Sequence, residues 1–282
     1  MNRITPAQVL DNIHRLPSLP GVVNELILAM SDESLRVDDL AHGIEKDQAL
    51  SARALRVANS PFYGLPKPVS SIHDAVVVLG FRAVGSLVTT AALTDFFRMP
   101  ALDWFDPSTF WHHSLGAAVC GRKLAARAGM DPEVGFTAGL LHDIGRLLLV
   151  VGHTRQYQAT LAWRDAHDAP LIQAERAVLE LTHAEAGAAL AGHWNFPPEI
   201  QNAVAFHHQP DQAPEPRPAY LAHLSDALAQ GLDLARDQRA IAPPLVPDVL
   251  TRLGLDWAAV AGSLAGIEAE FEGYECLLSG TA

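Results

Sequence analysis

The sequence predicts an all-α protein, and three features support that prediction. Apolar residues recur at three- and four-residue spacing, which is the period of a helix face. Residues typical of helix N-caps precede several of these segments, and prolines separate them. No two alternating apolar segments are joined by a tight hairpin turn. We therefore expect short helices joined by short turns, as in a helical bundle.

The first part of the chain predicts a helical lobe that ends near Phe97. Thr5, Pro6 and Gln8 have the pattern of a capped helix start, and Asp47 is placed to cap a later helix. Residues 76–79 could also suit a strand, but their helical neighbours favour a helix. The proline-rich segment 60–68 predicts an ordered loop. The predicted helices of this lobe cover residues 5–16, 22–30, 37–44, 47–59, 70–79 and 81–97.

A second helical lobe is predicted after a crossing at residues 100–107. The central helix of this lobe is capped at Asp131 and runs through Val150, while 209–218 reads as an exposed loop. The other predicted helices cover residues 110–127, most of 170–194, 197–208 and 220–229. A linker at 242–244 precedes two short helices that we expect on the outside. The predicted division of the chain is 1–98, 99–235 and 236–282.

His142 and Asp143 lie in the apolar run Gly139–Val150. If this run is helical, nearly every side of the helix carries apolar or small residues. Such a helix is buried, and buried polar groups need hydrogen-bond partners or a metal ion. The candidate partners are other histidines, namely His112, His113, His183, His207, His208 and His223. The alternative is that each is a separate core histidine bonded to a backbone carbonyl. We expect no role for His14, His42, His73, His153 and His167.

Composition narrows the class of protein. The formal net charge is −12 with only three lysines, which argues against nucleic-acid binding because phosphate contacts draw on clustered Lys and Arg. We find no signal peptide and no apolar run of the ~20 residues that a bilayer needs, so we expect a cytoplasmic protein without membrane contact. Cys120 and Cys276 read as reduced core residues.

Four ordered motifs suggest a family. They are Phe110-Trp111-His112-His113-Ser114, Ala138-Gly139-Leu140-Leu141-His142-Asp143-Ile144-Gly145, Thr182-His183-Ala184-Glu185-Ala186-Gly187 and Phe206-His207-His208-Gln209-Pro210. In this order they resemble the HD superfamily of metal-dependent phosphohydrolases, and more closely its branch of HD-related output domains, the HDOD domains. Residues 13–20 and 57–64 resemble the N-terminal half of that branch. The resemblance implies an N-terminal helical bundle lobe packed on a C-terminal HD-like lobe.

The resemblance also implies a site for a divalent metal: Fe, Mn, Ni or Zn. The residues at its ligand positions are His113, His142, Asp143, His183, His207 and His208, with His223 where the last carboxylate of the family falls. Asp226 is the nearest carboxylate, one helical turn away. If the protein is an enzyme, Asp143 and Arg146 are the expected catalytic residues. Imidazole and carboxylate ligands suit borderline divalent metals.

Departures from the catalytic branch point away from turnover. Arg146 stands where the cyclic-dinucleotide phosphodiesterases have a lysine, and Arg cannot exchange a proton. Gln209-Pro210-Asp211 replaces the glutamate and Gly-Tyr-Pro of that branch. We expect a signal-transduction or regulatory domain that recognises a signalling protein or a small nucleotide-like ligand without catalysis. The alternatives are a metal-dependent phosphohydrolase acting on a nucleotide or cyclic dinucleotide, and a scaffold that binds metal without turnover.

Overall fold

In the computed structural model, helices pack around an extended apolar core that both predicted lobes share. The structure describes residues 21–29, 44–60, 63–237 and 241–278, together with positions 8, 11 and 239. These residues contain no β-strand, and one isolated bridge joins Leu102 to Phe105. The all-α prediction is confirmed. The predicted helices 5–16 and 37–44 lie almost entirely outside the described residues.

The N-terminal lobe contributes four described helices, and the predicted cap at Asp47 is present. The Asp47 carboxylate accepts the backbone N–H groups of Ala49 and Leu50, and the Ser71 hydroxyl accepts that of Asp74. The ambiguous segment 76–79 is helical, as predicted. The helices are α1 (Gly21–Ala29), α2 (Gln48–Ala58), α3 (Ile72–Leu79) and α4 (Phe81–Phe96).

The second lobe is built from eight described helices. They are α5 (Pro107–Arg127), α6 (Pro132–Leu141), α7 (Ile144–Gly152), α8 (Thr154–His167), α9 (Leu171–Leu179), α10 (His183–His193), α11 (Pro198–Phe206) and α12 (Pro216–Gly231). The expected loop at 209–218 is wrong in part, because a short 3₁₀ turn forms at Pro210–Gln212 and α12 already begins at Pro216. Proline suits that first helical position, where its missing N–H costs nothing.

The central helix is interrupted, which the sequence did not predict. The backbone leaves helical geometry at Asp143 (φ −99°, ψ 7°), so α6 ends and α7 begins at the His142-Asp143 pair. Asp143 occupies the N-cap position of α7 but makes no side-chain cap, because its carboxylate points into the candidate site. By length and composition Pro132–Gly152 could cross a membrane, yet 83% of its most apolar window is buried inside the fold, as in a core helix.

The two lobes pack on each other through aromatic and polar contacts. Phe96 and Phe97 at the end of α4 contact Trp194, with ring centroids 5.7 and 6.2 Å apart. The Ser86 hydroxyl on α4 donates to Glu133 on α6. These contacts confirm the predicted packing of an N-terminal lobe on the second lobe.

The C-terminal segment forms three helices rather than two and is not confined to the outside. They are α13 (Val249–Leu253), α14 (Trp257–Ala261) and α15 (Leu264–Leu278). Ile267, Phe271 and Tyr274 of α15 are buried in the main core. Burial of each such side chain stabilises the fold by roughly 1.5–3 kcal/mol. The cause is the three- and four-residue spacing of these apolar residues, which gives α15 one face that fits the groove beside α2 and α5.

The two cysteines differ in what can be described. Cys120 is a buried free thiol on α5, as predicted. Burial raises the pKa of its thiol to about 12. The side chain of Cys276 lies outside the described residues.

Candidate metal centre

A close contact between α5 and α6 brings the first pair of histidines together. A methyl group on Gly139 would lie 2.7 Å from the Ala118 Cα, and nearer still to the backbone of Ala117. Only glycine therefore permits this helix spacing. The contact places His113 of α5 beside His142 at the end of α6, with their Nε2 atoms 3.2 Å apart.

A second close contact joins α7 to α10. A methyl group on Gly145 would lie 2.5 Å from the Gly187 nitrogen and would overlap the carbonyl oxygen of His183. The glycine two residues after Asp143 thus lets the two helix N-termini meet. As a result, Asp143 Oδ1 lies 3.0 Å from His183 Nε2.

Four of these side chains form the first group of potential ligands. His183 Nε2 lies 3.3 Å from His207 Nε2 and 3.0 Å from His208 Nε2. Asp143 Oδ1 lies 3.7 Å from His207 Nε2. All the donor atoms of this group, Asp143, His183, His207 and His208, lie within 4.8 Å of one another.

Three further side chains form a second group beside the first. His113 Nε2 lies 3.1 Å from Asp226 Oδ1, and His142 Nε2 lies 3.8 Å from the same oxygen. Asp143 lies between the groups, with Oδ1 3.7 Å from His142 Nε2 and Oδ2 4.0 Å from His113 Nε2. The geometry is that of two adjacent sites that share one carboxylate.

The hydrogen bonds on the outer side of three rings fix which nitrogen carries the proton. His142 Nδ1 lies 2.7 Å from the Gly139 carbonyl, and His207 Nδ1 lies 3.0 Å from the Val204 carbonyl. His183 Nδ1 lies 2.7 Å from the Glu175 carboxylate. These acceptors have no proton to give, so each Nδ1–H donates to them, and the neutral rings of His142 and His207 turn an Nε2 lone pair inward. Lone pairs about 3 Å apart repel unless a cation or proton lies between them.

The charges of the cluster suit a divalent cation. Burial, reinforced by neighbouring histidines, lowers the pKa of His207 well below its usual range and that of His208 to about 4. Burial alone would raise the pKa of Asp143, but His142, His183 and Arg146 hold it well below its usual range. The carboxylate of Asp226 is likewise kept ionised, by His113 and His142, against the effect of burial. Neutral imidazoles and ionised carboxylates are the forms that bind metal.

His183 differs from its neighbours in protonation. Burial lowers its pKa, but the carboxylates of Glu175 and Asp143 more than compensate and raise it to about 10. Without a metal ion, His183 therefore holds the proton that relieves the repulsion among the inward-facing nitrogens. A divalent ion would replace that proton, as metal binding to histidine generally does.

The expectation was that His223 replaces the last carboxylate, but the structure places Asp226, and not His223, in the cluster. The His223 Nδ1–H donates to the His207 carbonyl over 2.7 Å, and Nε2 accepts the Val246 N–H over 3.1 Å. Both ring nitrogens are therefore used in holding α12 and the 242–248 segment. Residues three apart on one helix share a side, so the sequence could not decide between them. His112 also lies apart, bonded to the Ser108 carbonyl.

The structure thus brings together six of the seven sequence-predicted ligands, His113, His142, Asp143, His183, His207 and His208, and adds Asp226. Metal binding by these residues stays a prediction. Sequence reasoning missed Glu175, which contacts His183. Glu175 could have been noticed because it precedes Val178 by three residues and Leu179 by four, which places a carboxylate on the apolar face of α9.

Arg146 lies at the wall of the site and is engaged with it. Its Nη1 donates to Asp143 Oδ2 over 2.8 Å, and its guanidinium stands 5.5 Å from the centre of the Phe110 ring. Burial alone would lower its pKa, but the Asp143 carboxylate raises it above the ordinary value. The buried Nε has no hydrogen-bond partner within the protein.

A cavity of about 320 Å³ opens directly onto the cluster. Its floor includes five of the potential ligands, and its walls combine aromatic and aliphatic side chains with arginines. The wall residues include Trp104, Phe105, Phe110, Arg146, Arg164, Leu171, Ile172 and Ile241. A cavity with mostly apolar walls and a few convergent polar groups is typical of small-molecule sites.

The profile of the HDOD domain matches residues 16–210. The chain belongs to the HDOD family. A solved HDOD domain protein of unknown function from Geobacter sulfurreducens is 27% identical and has a TM-score of 0.73, with 98% of each chain covered. A solved Shewanella amazonensis protein, provisionally named a phosphohydrolase, is 29% identical with a TM-score of 0.77, also over 98% of each chain.

Similarity also reaches a named enzyme. Ribonuclease Y of Thermus thermophilus is 30% identical to this HDOD protein over 153 residues, which is 54% of the chain and 22% of the enzyme. The HDOD chain spans less than half the length of the curated relatives that it matches. The similarity is therefore to one part of each relative.

Proposed function

We propose that this HDOD protein is a regulatory domain that binds a divalent metal and, in the adjacent cavity, a small anionic ligand. The supporting observation is the cluster of inward-facing Nε2 atoms on His142, His183 and His207, whose Nδ1 groups are committed to outer acceptors. Without a metal, the proton on His183 supplies the positive charge that this buried cluster needs at its centre. A divalent ion supplies that charge with the ligand chemistry of the site.

The residues fit the metal in two adjacent positions. Asp143, His183, His207 and His208 would hold one ion, and His113, His142 and Asp226 would hold a second, with Asp143 able to serve both. A bound divalent ion would act as a Lewis acid towards a phosphate or carboxylate oxygen of the ligand. The residues of the chain fix the donor positions, and the cavity above them limits the size of the ligand.

The cavity supports an anionic ligand with a flat apolar part. Two arginines, Arg146 and Arg164, line this cavity. The partly exposed indole of Trp104 lines the same cavity and provides a surface on which a base-like ring could stack. A small nucleotide-like ligand satisfies both requirements. A partner signalling protein would then respond to the ligand-bound state.

Arg146 favours regulation over turnover. It stands where the phosphodiesterase branch has a proton-donating lysine, but a guanidinium stays charged and cannot donate its proton to a leaving group. Its bond to Asp143 Oδ2 also neutralises the oxygen that faces away from His183. The site is therefore better suited to holding an anion than to cleaving one.

Metal-dependent phosphohydrolysis is the second candidate. Asp226 favours it, because this residue restores the carboxylate that the sequence had left in doubt. The similarity to part of ribonuclease Y supports the same candidate. With Asp226 in place, two departures from the catalytic branch remain, at Arg146 and Gln209.

Metal analysis of the purified protein tests the proposal. We expect bound or readily loaded divalent metal in the wild type, and loss of it in Asp226→Ala and Asp143→Ala. His223→Gln serves as the matched control on the same helix, and it should keep the metal. Failure of the wild type to bind Fe²⁺, Mn²⁺, Ni²⁺ or Zn²⁺ would refute the proposed metal centre.

Turnover assays separate the two candidate functions. We expect cyclic dinucleotides, nucleoside monophosphates and short RNA to be hydrolysed poorly or not at all by the metal-loaded protein. Metal-dependent hydrolysis that is abolished by Asp143→Ala would make phosphohydrolase the better description.

A further inference from the structure

Glu175 is a fully buried carboxylate on α9 that lies behind the candidate metal centre. Its exposed fraction is 0%, and it is absent from the cavity wall. Oε2 accepts two bonds from one residue, the backbone N–H of His183 over 2.8 Å and the ring Nδ1–H over 2.7 Å. Oε1 accepts the hydroxyl of Tyr157 over 3.1 Å. Both carboxylate oxygens are thus used within the protein.

The paired bonds to His183 fix its ring. Because one oxygen holds both the backbone N–H and the ring N–H, rotation of the side chain breaks the second bond while the first stays in place. The ring is therefore held with Nε2 directed at Asp143 and His208, each 3.0 Å away. The backbone N–H belongs to the first turn of α10, where no intrahelical acceptor exists.

A charged acceptor distinguishes His183 from the other rings. The Nδ1 groups of His142 and His207 donate to neutral carbonyls three residues earlier in the chain. Those carbonyls orient the rings without a formal charge. Burying an ionised carboxylate is costly unless it is compensated. The negative charge at Glu175 thus sets His183 apart from the other two rings, and it lies on the outer side of His183, away from the candidate metal position.

We propose that Glu175 is a positioning residue for the metal centre, acting through His183. This inference rests on the proposed metal site. The carboxylate aligns the Nε2 lone pair, makes the imidazole a stronger electron donor, and adds a second negative charge near the ion that His183 and Asp143 would hold. Outer carboxylates of this kind change metal affinity by about 10–100-fold when they are removed.

Two substitutions separate charge from orientation. Glu175→Gln can keep both kinds of hydrogen bond, with its oxygen towards His183 and its amide towards Tyr157, but it removes the charge. Glu175→Leu removes the acceptor as well and leaves the His183 N–H groups unpaired. Glu270→Gln is the matched control, because Glu270 is also a buried carboxylate but pairs with Arg122 and Lys123, away from the site.

The measurement is Zn²⁺ affinity of the full chain by competition with a chromophoric chelator, with folding followed by circular dichroism. We expect about 10-fold weaker binding in Glu175→Gln, a larger loss in Glu175→Leu, and unchanged affinity in Glu270→Gln. If Glu175→Leu does not fold, the comparison of Glu175→Gln with Glu270→Gln still decides.

The outcomes distinguish this inference from the proposed function. Zn²⁺ affinity in Glu175→Gln equal to that of the wild type overturns the inferred effect of the Glu175 charge on the metal centre and leaves the metal centre itself intact. Equal weakening in Glu175→Gln and Glu270→Gln also overturns it, because the effect would then be one of general stability. A wild type that binds no Zn²⁺ and no other divalent ion overturns both.

Discussion

Gly145→Ala is the substitution that most directly tests how the fold assembles the site. Gly145 lies where α7 meets α10, and the added methyl group would stand 2.5 Å from the Gly187 nitrogen and closer to the His183 carbonyl. Ordinary contacts of carbon with other heavy atoms are about 3.5–4.0 Å. The two helices would have to separate by about 1 Å, and this movement would carry Asp143 away from His183.

The expected free-energy change follows from two opposing terms. Overpacking costs about 1–3 kcal/mol, and the upper end applies because the obstructing atoms are backbone atoms that cannot rotate away. Alanine in place of glycine within a helix returns about 0.8–1.0 kcal/mol. We therefore expect Gly145→Ala to lower the free energy of unfolding by about 2 kcal/mol and to weaken Zn²⁺ binding.

Gly192→Ala provides the control for helix propensity. Gly192 lies near the end of α10, and a methyl group there would meet nothing within 4 Å. The urea midpoint of this variant should equal or exceed that of the wild type, and its free energy of unfolding should be higher by up to about 1 kcal/mol. The assay is the urea midpoint at constant slope. If Gly145→Ala is as stable as Gly192→Ala, the close contact does not constrain the fold as described.

Three further substitutions or treatments test other parts of the structure. Burial alone would raise the Glu185 pKa, but the hydrogen bonds with Thr182 and Arg176 lower it, so the ionised carboxylate stabilises the fold above about pH 4.5 and this stabilisation is lost on acidification. When the pH falls from about 5 to about 3, the free energy of unfolding should therefore decrease less in Glu185→Gln than in the wild type. Glu270→Gln should lower the free energy of unfolding in urea by somewhat less than about 3 kcal/mol, because Glu133 still pairs with Arg122. An unchanged urea midpoint would contradict a stabilising role for the buried pair. Cys120 should resist alkylation in the native protein, as measured on its peptide by mass spectrometry, because its thiolate is suppressed by burial; rapid native labelling would contradict this.

Local signals were sufficient for most helices. Asp47 caps a helix as its sequence position indicates, and the 76–79 segment is helical despite its β-branched residues. Apolar spacing identified the elements because each helix buries one stripe against the core. The break in the central helix at Asp143 lies inside an apolar run, and the apolar pattern gives no local signal of it. The prediction of one continuous helix was therefore wrong.

The candidate site was only partly predictable, because local sequence patterns do not show how helices far apart in the chain pack against each other. Motif order placed six potential ligands in one set, since each lies in a short stretch with a recognisable pattern. The choice between His223 and Asp226 depends on the rotation of α12, which is fixed by its packing on α5. Glu175 gave little signal, because its role exists only when α9 and the start of α10 lie side by side.

The sequence by itself determined the all-α class, most helix positions, the family and the identity of most side chains at the site. These depend on local periodicity, capping and short motifs, which are properties of neighbouring residues. Tertiary structure decided which nitrogen of each imidazole faces inward, that Asp226 joins the cluster, and that His223 instead holds the chain near Val246. Those outcomes depend on distances between residues far apart in the chain, which are set by helix contacts such as that of Gly145 with Gly187.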